Sequence, residues 1–384
     1  MRSLPAPDAE QLSSSQALTA LIRDEIARAG GWLPFADYMR LALYAPGLGY
    51  YSAGSRKFGA AGDFITAPEL SPLFAQSLAG PVAQVLAACG GDVLEVGAGT
   101  GRLAADLLQE LAQRDVLPAR YLILELSADL AERQRATLQA AVPDLLDRVR
   151  WLSALPTDFV GCVVGNELLD AMPCELVRRG DVGWQRRGVV WQEGGFAWAD
   201  RAISDPALAA ALVELDLPVG YQTEVQLEAQ GFVRALEAAV KQGALILPDY
   251  GFVAGEYYHP QRHMGTLICH YRHHSHDDPF HLPGLEDITT HVDFSAIYRA
   301  AMEVGWQLEG FTSQASFLLE AGVLDCLGRL EAGSNDYLKA TVALNKLMSP
   351  AEMGELFKVI AFSKQLALPA LLAGFGRDDR SGAL

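Results

Sequence analysis

Between about residues 75 and 165 the chain alternates short apolar runs with longer stretches of helical periodicity, and this alternation restricts the fold more than any other feature. The apolar runs are DVLEVG, YLILELS, RVRWLS and FVGCVVGN, and helical patterns cover about 73 to 88, Leu103 to Arg114 and Ala128 to Ala141. Strands without polar alternation are buried on both faces, so the pattern predicts parallel β-α-β units with helices packed on the sheet. At 384 residues the chain exceeds one ordinary core, so one large domain with insertions or two domains are expected.

The flanking texture differs. QALTALIRDEIARAG (16 to 30) and LPFADYMRLALY are helical in pattern, and MRSLPAPDAEQLSSSQ before them reads as a short disordered lead. AGSRKFGAAGDFITAPELSP is a long Gly- and Pro-rich connection of the kind that carries function. CELVRRGDVGWQRRGVVWQEGGFAWAD predicts a β-rich insertion, and TEVQLEAQGFVRALEAAVKQG predicts a return to helix. ALILPDYG, WQLEGFTSQ and LFKVIAFSK are the remaining candidate strands, and VDFSAIYRAAMEVG is helical. The reading is an α/β, Rossmann-like sheet with an N-terminal helical extension and an inserted β-rich and helical lobe. Its expected segments are 1–72, the extension and a covering loop; 73–174, the cofactor-binding core; 175–240, the lobe; and 241–384, the rest of the sheet with substrate-side loops.

LEVGAGTGRLAADLL lies between a predicted strand and a predicted helix. Gly97, Gly99 and Gly101 let the backbone turn and approach a ligand, and the helix start offers free N–H groups. The dinucleotide spacing G-x-G-x-x-G fails, because Arg102 stands three beyond Gly99. Glu95 is misplaced for a pyrophosphate and suits the ammonium of a methionine moiety. Glu125, at the end of the next strand and followed by Leu126, can accept both ribose hydroxyls, and Ser153 ends the third strand where an adenine edge would lie. Together these describe S-adenosylmethionine across the carboxyl ends of the strands. Asp63, Phe64, Thr66 and Glu69 of GDFITAPELSP are expected to fold over it.

GNELLDAMP ends the fourth strand and places Asn166, Glu167 and Asp170 at the methyl-transfer side. A guanidinium is planar, permanently cationic and bound bidentately by carboxylates, so Glu167 with Asp170 suits an arginine acceptor. Asn166 could instead polarise an amino or hydroxyl nucleophile, and Asp170 could merely cap a helix.

Several blocks resemble the MidA-type class I S-adenosylmethionine-dependent methyltransferases: YMRLALYAPGLGYYS, GDFITAPELSPLF, EVGAGTGRLAADLL, GNELLDAMP, LPDYG, GTLICHYRHH, THVDFSAI and LMSPAEMGELFKVIAFSK. Ala98 replaces a proline often found in that family's glycine loop. The family includes the mitochondrial assembly-factor methyltransferase of respiratory complex I. The resemblance therefore implies protein arginine N-methylation and a protein partner with an exposed arginine, a core complex I subunit by analogy. A small-molecule O- or N-methyltransferase and a non-catalytic assembly chaperone are the alternatives.

The formal charge of −17 argues against nucleic acid and anionic lipid as partners. Cys89, Cys162, Cys174, Cys269 and Cys326 are odd in number and lack C-x-x-C spacing, which fits a reducing compartment and no zinc site. No run of apolar residues is long and uninterrupted enough to predict membrane insertion. The expected location is the bacterial cytoplasm, or the mitochondrial matrix for a eukaryotic mature form. All eight histidines fall between 259 and 291. CHYRHHSHDD is expected to be a substrate-facing loop rather than a metal site, with Tyr271, Arg272 and His273 near the acceptor. His291 and Asp293 are expected to begin a helix nearby, His291 as a further catalytic candidate. A homodimer formed through the lobe is left open.

Overall fold

The computed structural model describes residues 4–52 and 65–384. Asp63 and Phe64 therefore lie outside the described residues. The chain divides into two compact units. One contains Ile65–Leu168, Phe232–Val253 and Phe294–Leu384; the other contains 4–52 with Leu169–Gly231 and Ala254–Asp293. The sequence separates an N-terminal extension from an inserted lobe, whereas here these segments share one unit, joined by 254–293.

The first unit is built on a twisted sheet. Its strands are β1 (Asp92–Val96), β2 (Tyr121–Leu124), β3 (Val149–Leu152), β4 (Phe159–Val164), β5 (Val240–Phe252), β6 (Gln307–Ser313) and β7 (Phe357–Lys364). They lie in the order 3-2-1-4-5-7-6. Strands β1 to β5 pair in parallel, and β7 runs antiparallel between β5 and β6. The helices α1 (Ala67–Leu70), α2 (Pro72–Cys89), α3 (Arg102–Gln113), α4 (Ala128–Ala141) and α5 (Phe294–Val304) belong to the same unit. Leu73, Phe74, Leu78, Val82 and Val85 of α2 join Leu103, Leu107 and Leu111 of α3 in a core with Val93, Ile123 and Val164. By length and composition α2 could cross a membrane, yet these apolar side chains are buried in that core. The interior carboxylate Glu110 is held by Arg114 and Arg329, each at 2.8 Å.

The other unit carries an antiparallel sheet of Leu33–Pro34, Trp184–Gln192, Glu175–Arg179 and Gln222–Val225, with Gly195–Ala202 paired to Trp184–Gln192. Helices Ala9–Arg28 and Phe35–Tyr44 bury Leu18, Ile22, Phe35, Tyr38 and Met39 with Leu176, Val189 and Ile288. The lead that reads as disordered is helical from Ala9. Asp8 accepts the Gln11 N–H at 2.8 Å and Gln11 returns the bond at 3.1 Å, a reciprocal cap that starts the helix early. Thr223–Val225, expected in a helix, is strand because it pairs with Glu175–Val177, and the helix begins at Leu227.

Candidate cofactor and methyl-transfer site

Three turns of the first unit meet beyond the carboxyl ends of β1 and β4. The first is the glycine loop. Gly97, Gly99 and Gly101 have φ of +70°, +52° and +83°, a region that side chains with a Cβ enter at a cost. The second is Gly165–Leu168 after β4. Its Leu168 side chain rests on the glycine loop, since a Cβ at Gly97 would meet Leu168 Cδ1 at 3.2 Å. The third is the start of α1. There the Ala67 N–H donates to Glu167 Oε1 at 3.2 Å, and Glu69 accepts a hydrogen bond from the Thr100 hydroxyl of the glycine loop. Thr66 immediately precedes α1.

Glu167 itself has φ +49°, left-handed for a residue with a Cβ. The strain is held by neighbours on β5. The Glu167 N–H donates to the Pro248 carbonyl at 2.9 Å, and the Leu168 N–H donates to Asp249 Oδ2 at 3.1 Å. Asp249 is fully buried and also accepts the Tyr250 N–H at 2.9 Å. Strained non-glycine residues over-determined by their surroundings gather at functional sites. Asn166 Nδ2 donates to Glu167 Oε1 at 3.0 Å. Asn166 Oδ1 is buried and accepts no hydrogen bond from the described residues.

Glu95, in the fourth position of β1, is 2 % exposed and accepts the Tyr121 hydroxyl of β2 at 2.6 Å. Burial pushes its carboxyl up to about 7, against the pull of the Tyr121 bond and with a further push from Glu125. Burial likewise drives the Tyr121 phenol well above its ordinary range. Glu125, after β2, accepts the Ser127 N–H at 2.8 Å on one oxygen and Gln134 Nε2 at 2.9 Å on the other. Burial raises its pKa, and those bonds oppose the shift. Leu126 is 81 % exposed, and Ser153 follows β3 at the surface.

These features suit S-adenosylmethionine. A Cβ added at Gly99 would meet no atom of the described residues within 4 Å, so they leave space beside the glycine loop. A buried acceptor, Asn166 Oδ1, faces no donor of the described chain, and carboxylates stand at the ends of β1 and β2. Glycine loop, Glu95, Glu125 and Asn166 would hold the methionine and ribose parts.

The other sequence candidates belong to the second unit. Asp170 is 5 % exposed and caps no helix, since a turn and then strand Glu175–Arg179 follow it. Its carbonyl accepts the Thr290 N–H at 3.0 Å. The His291 N–H donates to Thr266 Oγ1 at 3.0 Å and its carbonyl accepts Gln226 Nε2 at 3.1 Å. Asp293 accepts the Tyr258 hydroxyl at 2.9 Å in strand Val292–Asp293, and α5 begins only at Phe294. The histidine tract is a hairpin rather than a loop. Ile268–Tyr271 pairs with His274–His276 across Arg272 and His273, both at positive φ as a type I′ turn requires. Arg272 reaches the Ala6 carbonyl at 3.0 Å and Gln11 at 2.7 Å. Among the described residues no three His, Cys, Asp or Glu side chains are grouped to hold a metal.

Tyr121, Gln134 and Asp249 escaped the sequence reading. A signal existed for Gln134: it falls on the buried stripe Leu130, Ala131, Gln134, Leu138 of α4, where a polar residue is out of place.

A parallel sheet in the order 3-2-1-4-5-7-6 with antiparallel β7, a glycine loop after β1 and an acid after β2 defines a class I methyltransferase. The comparisons agree. The chain belongs to the family described as "Putative S-adenosyl-L-methionine-dependent methyltransferase", which matches residues 77–312. A crystal structure from Burkholderia thailandensis bound to S-adenosyl-homocysteine shares 53 % identity over the full length of both chains, with a TM-score of 0.96. A native structure from the same organism gives 52 % and 0.93, again over both full chains. The protein arginine methyltransferase NDUFAF7 of Danio rerio is 28 % identical over 86 % of this chain and 83 % of its own. That of Homo sapiens is 27 % identical over 87 % and 80 %. The cofactor is S-adenosylmethionine.

Proposed function

We propose that this methyltransferase acts on arginine side chains of a protein. The observation that carries the reading is Glu167: a carboxylate in a left-handed turn beside the glycine loop, anchored by Ala67 and Asn166. Such a fixed anion suits a guanidinium, with its fork of donors and permanent charge. The sulfonium of the cofactor supplies an electrophilic methyl group. Glu167 would orient the guanidinium so that one nitrogen takes the methyl as the S–CH3 bond breaks, which leaves S-adenosyl-homocysteine. The displaced N–H proton passes to water, and positioning would provide most of the acceleration. Its negative charge also favours the positive charge that develops on the guanidinium. Asp170 belongs to the other unit, and the reading stands on Glu167 alone. The names of the curated relatives support the same acceptor class. By resemblance, a core respiratory complex I subunit is the first partner to test.

Proteome-wide mass spectrometry of a deletion strain decides the matter. Loss of arginine methylation on a defined protein, restored by wild type and not by Glu167→Gln, is the expected result. Loss of a methylated metabolite with every arginine site intact would overturn it.

A further inference from the structure

Gln134 is fully buried in the middle of α4, and its amide uses donors and acceptor together. Nε2 donates to the Gly99 carbonyl at 3.1 Å and to Glu125 Oε2 at 2.9 Å, while Oε1 accepts Trp151 Nε1 at 2.9 Å. The Gly101 turn rests on the same residue, because a Cβ there would meet Gln134 Cα at 3.0 Å. Trp151 is covered on its face by the Arg135 guanidinium, 4.2 Å from the ring centroid. One side chain therefore ties the loop after β1, the acid after β2 and the tryptophan of β3. A leucine would fill this helix position, but it would leave the Glu125 oxygen and the Gly99 carbonyl without their donor.

We infer that Gln134 is a positioning residue for the cofactor. It fixes the Glu125 carboxylate in the orientation that accepts ribose hydroxyls and locks that carboxylate to the glycine loop. With Ser127 on one oxygen and Gln134 on the other, the carboxylate cannot rotate. Its remaining lone pairs are aimed before the ligand arrives, which is the preorganisation that raises affinity. The inference concerns the methyl donor and is independent of the acceptor. It rests on Glu125 as the ribose acceptor.

Calorimetry with S-adenosyl-homocysteine and with its analogue lacking the ribose 2′-hydroxyl tests it. The proteins are wild type, Glu125→Gln, Gln134→Met, the double variant and Trp151→Phe. Gln134→Met is expected to weaken the parent ligand about tenfold and the deoxy analogue much less. The double variant should bind no more weakly than Glu125→Gln, because both changes remove one function. Trp151→Phe, which keeps the amide but frees its far end, should narrow the preference between the two ligands in the same direction. If Glu125→Gln leaves that preference unchanged, the ribose assignment itself fails. If Glu125→Gln removes it while Gln134→Met lowers both ligands equally, or the two changes add, Gln134 is structural and the inference is overturned. Should Gln134→Met not fold, an unchanged preference in Trp151→Phe overturns it.

Discussion

Replacing Glu95 by glutamine isolates the cost of a buried acid beneath the glycine loop. Burial raises the folded carboxyl from the ordinary 4.5 to about 7. Between those values the folded protein binds a proton that the unfolded chain has released, so stability falls as pH rises. Below about 4.5 both states are protonated and the group contributes nothing; above about 7 both are ionised and the full penalty is present. At about 1.4 kcal/mol for each pH step, the gap comes to about 3 kcal/mol. Glutamine keeps the shape and an oxygen for the Tyr121 hydroxyl without the charge. Glu95→Gln without ligand should therefore match the wild type in urea midpoint near pH 4 and exceed it progressively up to about pH 8, followed by circular dichroism. Taking the difference between the two proteins cancels the titrations of groups not coupled to Glu95, such as those far from Glu125 and Tyr121. Parallel curves at all pH values would show that burial does not raise the Glu95 pKa, and a variant that loses stability relative to wild type as pH rises would show that the acid is stabilised as a carboxylate; either result refutes the burial argument.

Gly99→Val should abolish binding of S-adenosyl-homocysteine in calorimetry, since the branched side chain enters the open space beside the loop; unchanged affinity would refute the pocket. Its stability cost should stay at about 1–2 kcal/mol, the penalty of a left-handed residue without a clash. Gly101→Ala adds to a similar backbone penalty a close approach to Gln134, so a loss of about 2–3 kcal/mol in chemical denaturation is expected. Asp249→Asn turns an amide N–H toward a backbone donor at the Glu167 turn. It should cost about 1–3 kcal/mol and lower turnover more than cofactor affinity, as kcat and calorimetry measured side by side would show.

Local chemistry made much of this molecule legible. Unbroken apolar runs separated by helical periodicity specify buried strands and crossover helices, because both signals arise from neighbours a few residues apart. Strands β1 to β4 and helices α2 to α4 stand where the pattern places them, to within about three residues at their ends. Gly97, Gly99 and Gly101 announce a turn because only glycine enters that backbone region freely. The acid after β2 could likewise be placed by counting from the strand. The helix expected over 16 to 30 stands, but its start at Ala9 was missed although the Asp8–Gln11 capping pair is a local signal, and at Thr223–Val225 a distant strand overrode helical pattern.

Tertiary structure alone decided the rest. The antiparallel insertion of β7 between β5 and β6 depends on pairing between residues far apart in sequence, Gly243 with Lys364 and Gln307 with Ser363 among them. So does the union of 4–52 with 169–231 and 254–293. The strained turn at Glu167 is held by Pro248 and Asp249, and the Gln134 amide joins residues from three separate loops and strands. A hydrogen bond is made or lost over a few tenths of an ångström. Its partners are fixed by strand register and helix placement, which no short window of sequence contains.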